Sequence, residues 1–230
     1  MGRESNHIEL PTTVCYYYSH ASMDIPIMNK ELIFFTGVPG SRWSGISQVF
    51  RNTWTDIDNT DCEDPRKMYT HHEFSGHKGN YYGPNDLHGN WLDKEFGTKE
   101  QWLNEIDRSY TGSKPVKLIL SHNFAHYLPE LASTFPESKI VLCYYLSDEV
   151  SYNWWHEAGG WDITYPDYTW YINNAGMRKE IKEQNRKILE FADSNGIVFE
   201  HPDVNFFRKH FDRDIDFVFG KKDVQLAVYG

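Results

Sequence analysis

The stretch from residue 31 to residue 52 constrains this chain more than any other. It opens with the apolar run ELIFFTGV over residues 31–38, ending in glycine and proline, which predicts a buried strand. A helix is predicted over residues 43–52, where Ile46, Val49 and Phe50 share one face. Strand, glycine-containing loop and helix in that order aim backbone N–H groups and a helix N-terminus at one point. Such a point binds anions.

Two further continuous apolar runs, VKLILS over 116–121 and KIVLCYYL over 139–146, predict strands of the same buried kind. Helices are expected over 99–109, over 124–135 up to Pro136, and from Asp148, where Ser147 serves as cap. A long helix is expected over 167–193, with Trp170, Met177, Ile181, Ile188, Leu189 and Ala192 along one stripe and Asn195-Gly196 as its stop. A fourth strand is predicted over 196–200. Residues 1–30 read as an arm packed on the body. Residues 56–97 are polar and without period, and read as a long irregular insertion or lid. The alternation of strand and helix gives one α/β domain over residues 1–230, a three-layer α/β/α, P-loop-like architecture with a mostly parallel central sheet. At 230 residues and 40% hydrophobic, the chain is large enough for one such core.

A formal net charge of −10 sets a field that repels nucleic-acid backbones and anionic membrane surfaces, so neither is expected as a partner. Any bound anion then has to be held by local donors. The three cysteines, Cys15, Cys62 and Cys143, form no CxxC pair, and Cys143 lies in an apolar run as a small buried hydrophobe. That usage, with no signal-like N-terminus and no apolar run of about 20 residues, predicts a cytoplasmic chain without a metal site.

Within the loop, Gly37 and Gly40 let the backbone approach a ligand, Ser41 and Ser44 add hydroxyl donors, and Arg42 adds charge. Against the nucleotide-triphosphate loop G-x-x-x-x-G-K-[ST], Gly37 and Ser44 hold the right spacing, but Arg42 replaces the second glycine and Trp43 the lysine. The next two strands lead into His122 and Ser147 rather than into the acid that holds magnesium. An ordinary glycine turn is the alternative.

The run Pro39-Gly40-Ser41-Arg42-Trp43-Ser44 resembles the phosphosulfate loop of sulfotransferases, usually Pro-(Lys/Arg)-Ser-Gly-Thr-(Thr/Ser). A second block follows in order. Leu120-Ser121-His122 with Tyr127-Leu128-Pro129-Glu130-Leu131 is similar to the family's Lys-Thr-His…Leu-Pro segment. The resemblance covers roughly residues 31–55 and 116–160. It implies 3′-phosphoadenosine 5′-phosphosulfate as donor and a small-molecule or glycan hydroxyl as acceptor, with no metal. It also implies that Ser41, Arg42, Trp43 and Ser44 hold the phosphosulfate, with Arg42 as charge stabiliser, and that His122 is the base. Tyr145 and Asn153 align with the family's 3′-phosphate pattern Arg-x-x-x-x-x-x-x-Ser, and Gly40 stands where the family has Lys or Arg.

Alternatives stay open. His122 is equally readable as a histidine hydrogen-bonded at a strand end. Trp154, Trp155 and Trp161 suit ring stacking or plain packing. His71, His72, His77 and His88 suit a transition metal or a solvated loop. The residues 179–187, KEIKEQNRK, read as a solvated helix face. A P-loop nucleotide or small-molecule kinase and a non-catalytic ligand-binding protein are the rival functions.

Overall fold

The structure, a computed structural model, describes residues 30–60, 96–145, 147–162, 171–215 and 224–230. The expected arm over 1–30, most of the 56–97 insertion with its four histidines, Cys15, Cys62 and the start of the 167–193 helix lie outside those residues. The elements are, in order, β1 (Glu31–Gly37), α1 (Trp43–Thr53), α2 (Lys99–Ser109), β2 (Val116–Leu120), a 3₁₀ turn (Asn123–His126), α3 (Leu128–Thr134) and β3 (Lys139–Tyr145). There follow α4 (Asp148–Glu157), a second 3₁₀ turn (Gly160–Asp162), α5 (Asn174–Ser194), α6 (Val204–Phe211) and β4 (Val224–Tyr229).

The sheet order is β2-β1-β3-β4, with β2, β1 and β3 parallel and β4 antiparallel to β3. The chain is therefore α/β with a mostly parallel mixed sheet. β1 is an inner strand, buried from Leu32 to Gly37 because both of its faces are covered. Alternate strand residues enter two separate cores. Leu32, Phe34, Ile119, Ile140 and Leu142 join side chains of α2, α3, α4 and α5. Ile33, Phe35, Leu120, Val141 and Cys143 join those of α1 and α6, where Phe50 stands edge-on to Phe35, Phe207 and Phe211.

Local chemistry explains most element ends. The Thr98 hydroxyl and the Gln101 side chain form a capping box at α2, and the Ser147 hydroxyl accepts from the Val150 N–H at α4. Asn173 caps α5, so the stripe begins at Met177 and runs through Ile181, Ile188 and Ala192. Leu189, expected on that stripe, is exposed, and Phe191 is buried instead. The expected helix over 124–135 divides into the 3₁₀ turn and α3.

The fourth strand is a correction. Residues 196–200 form no strand; Val198 is exposed and only Glu200 bridges to Leu226. The sheet takes β4 instead, whose alternate side chains complete both cores.

The position of the loop follows from this topology. The connection after β1 leads to α1 in one core, and the connection after β2 leads to α3 in the other. The carboxyl ends of β1 and β2 therefore open where adjacent connections diverge, which is where open α/β sheets bind ligands.

Candidate anion site at the end of strand β1

The loop after β1 is tightly fitted. The Ser41 N–H donates to the Val38 carbonyl at 3.0 Å, closing a turn over the buried Pro39 and the half-buried Gly40. Gly40 has φ +77°, and a Cβ there would fall 1.8 Å from the Ser151 carbonyl of α4. A Cβ on Gly37 would stand 2.7 Å from Ser41 Oγ and 2.9 Å from Trp43 Cβ. Both glycines are therefore required by space, and Gly40 also by conformation.

Ser41 is fully buried, and its hydroxyl finds no hydrogen-bond partner among the described residues. Its carbonyl accepts from the Cys143 thiol at 3.4 Å, tying the loop to β3. Burial pushes that thiol up to about 12, so it stays protonated at neutral pH and acts only as a tether.

Arg42 is the N-cap of α1, in the left-handed region with φ 64°. The cap has no side-chain hydrogen bond and the first turn has no acid, so the helix start keeps its positive character for an external anion. The first intrahelical bond runs from the Ile46 N–H to the Arg42 carbonyl at 3.0 Å. Trp43, buried, and Ser44 are the first two helical residues.

His122 meets this loop. Its Nδ1 lies 2.6 Å from the Gly37 carbonyl, and its ring stands edge-on to Trp43 at 4.7 Å between centroids. A carbonyl only accepts, so Nδ1 carries the proton and Nε2 bears the lone pair in the neutral ring. The main chain is fixed as well: the His122 carbonyl accepts from the Thr36 hydroxyl at 3.4 Å and from the Ala125 N–H at 3.2 Å. His122 is 4% exposed.

The Arg42 guanidinium turns toward α4 and lies 3.4 Å over the Trp154 ring. Its Nε is buried without a hydrogen-bond partner among the described residues. Burial lowers its pKa, and the neighbouring Tyr145 and Glu157 partly offset that. Tyr145, at the end of β3, is buried, and Asn153 is exposed on α4 beside Trp154.

The sequence-predicted residues Gly37, Pro39, Gly40, Ser41, Arg42, Trp43, Ser44, His122 and Tyr145 thus gather at one end of the sheet, with Asn153 at its margin. Sequence reasoning left Trp154 open between ring stacking and plain packing; in the structure its ring carries the Arg42 guanidinium. It missed Cys143 and Ser151 as contacts of the loop. The left-handed backbone at Arg42 and the packing of Gly40 on the Ser151 carbonyl leave no signal in composition or period.

Among the described residues, no group of three or more His, Cys, Asp or Glu could hold a metal ion. None of their helices is long and apolar enough to cross a membrane. A cavity of about 790 Å³ opens between α3 and α5, lined by residues such as Leu128, Pro136, Phe191 and Tyr229, and shares no lining residue with the loop. Its lining includes the polar side chains of His126, Glu130, Arg186, Lys187 and Glu190. Comparison with protein-family models, curated proteins and solved structures gives no significant match.

Proposed function

We propose that the chain is a sulfotransferase-like enzyme on a three-layer, P-loop-like α/β/α fold. It transfers a sulfuryl group from 3′-phosphoadenosine 5′-phosphosulfate to a hydroxyl of a small molecule or glycan. The observation that carries this reading is the meeting of His122 with the glycine loop at Gly37, 2.6 Å apart at the carboxyl end of β1. An anion cradle and a base-competent imidazole then share one crevice.

In this reading the acceptor oxygen attacks sulfur in line as its proton passes to Nε2 of His122. The bond between sulfur and the 5′-phosphate oxygen breaks, and adenosine 3′,5′-bisphosphate leaves with the electron pair. The α1 first turn and Arg42 stabilise the charge on the leaving oxygen. The unmet Ser41 hydroxyl is a donor that a phosphosulfate oxygen satisfies. Gly37, Pro39 and Gly40 shape the loop, Trp43 and Ser44 open the helix, and Tyr145 and Asn153 face the 3′ side. A cytoplasmic setting belongs to the same reading, supported by cysteines without paired spacing.

A second reading, binding without transfer, is favoured by one feature: neither Gly40 nor Tyr145 brings the positive charge the family pattern has there. Calorimetry with adenosine 3′,5′-bisphosphate, magnesium-ATP and inorganic sulfate separates both of these readings from a kinase, and a transfer assay separates them from each other. Metal-independent bisphosphate binding supports the enzyme and the binding protein alike, and magnesium-dependent ATP binding supports a kinase. His122→Ala should keep bisphosphate affinity while lowering transfer about a hundredfold or more. Unchanged turnover removes His122 from the chemistry.

A further inference from the structure

α3 and α5 run side by side in the same direction. His126, just before α3, meets Glu180 of α5 through Nε2 at 2.5 Å. Further along α5, Phe191 packs on Tyr229, which pairs with Ile140 just beyond α3. The cavity of about 790 Å³ lies between the two helices. That volume falls within the roughly 300–1,000 Å³ of small-molecule sites. Its floor is apolar, since Ala125, Leu128, Ala132 and Phe191 are buried members of one core. From Lys187 to Asn195 the α5 wall extends about 12 Å. The shape is an apolar trough with charged side chains on its rim.

Those charges are unequally matched. His126 is engaged by Glu180, and Arg186 donates to both Glu183 and Glu190. Arg186 takes both oxygens of Glu183, so Lys187 feels that carboxylate only as a neighbouring charge. Lys187 is half-buried in the cavity wall and has no hydrogen bond or ion pair of its own among the described residues. Glu130, the remaining carboxylate of the lining, is exposed on the first turn of α3, where water and the helix dipole both stabilise it. The cation is therefore the lining charge that gains most from a ligand.

We propose that this cavity binds an aliphatic monocarboxylate, its chain along the floor of Leu128, Ala132 and Phe191 and its carboxylate on Lys187. The site shares no lining residue with the glycine loop and stands independently of the sulfuryl-transfer reading. The net charge of −10 opposes any anion, so burial of the chain supplies most of the affinity and Lys187 selects the head group.

The test is calorimetry with decanoate, decanol and decyltrimethylammonium on the wild type and on Lys187→Gln, Glu130→Gln and Ser133→Trp. Ser133 lines the cavity from an exposed position on α3, so an indole there fills the trough without entering the core. The wild type should bind decanoate about tenfold more tightly than decanol. Lys187→Gln should erase that preference, and Glu130→Gln should keep or enlarge it. Ser133→Trp should weaken decanoate and decanol alike, by about tenfold. A wild type that binds decanol as tightly as decanoate, prefers the decyl cation, or binds none of the three overturns the proposal. Decanoate affinity unchanged in both Lys187→Gln and Ser133→Trp places the ligand elsewhere and overturns it too.

Discussion

Gly40 shows how one residue can decide which chemistry a loop offers. With φ +77° and the Ser151 carbonyl 1.8 Å from where a Cβ would stand, the position excludes every side chain, lysine and arginine included. Gly40→Ala should therefore lower stability by about 2 kcal/mol or more, and abolish nucleotide binding in whatever fraction still folds. Urea denaturation with a parallel titration checks both; an unchanged midpoint with intact binding contradicts the tight packing of loop on α4. The loop glycines, Ser41, Arg42 and His122 were legible in the sequence because their types are uncommon together at strand ends. The partner of Arg42 was not. Trp154 lies far along the chain, and only the left-handed backbone at 42 and the packing of α4 bring the two together.

At the scale of elements, β2 carries a lysine inside the sheet. Lys117 is 2% exposed and pairs with Asp58, which also accepts from the Thr60 N–H and hydroxyl. Gly112 closes over this pair, its carbonyl accepting from Lys117 at 3.2 Å. The network joins the chain just after α1 to the start of β2 and so braces the strand that delivers His122. Burial alone would raise the Asp58 pKa, but the bonds from Lys117 and Thr60 outweigh it and hold it below the ordinary value. A depressed carboxylate stabilises the fold above its unfolded pKa of about 4, and that contribution is lost as pH falls through the lower folded value. Lys117→Met should cost about 3–5 kcal/mol by leaving Asp58 buried and unpaired. Adding Asp58→Asn should recover part of that loss and flatten the acid limb of the stability curve. A single variant as stable as wild type contradicts the buried pair. None of this was legible from the sequence, where Lys117 reads as one polar residue in an apolar run. The fourth strand was misassigned for a related reason. IVF at 197–199 has the composition of a strand but no neighbour to pair with, whereas β4 gains its partner only through the antiparallel return to β3.

At the scale of the whole molecule, three parallel strands and their helices were readable because burial on both faces writes itself as uninterrupted apolar runs. The diverging connections after β1 and β2 then place the glycine loop and His122 at one sheet edge, inside a chain whose net charge of −10 works against anions. Local donors must overcome that field, so a ligand should perturb a confined set of groups. Heteronuclear NMR during titration with adenosine 3′,5′-bisphosphate tests this most directly. The account predicts that the backbone amides of residues 41–45 and the imidazole nitrogens of His122 shift together, with one midpoint and without added magnesium. Shifts confined to the cavity between α3 and α5, or loop amides that stay fixed at saturation, would contradict it.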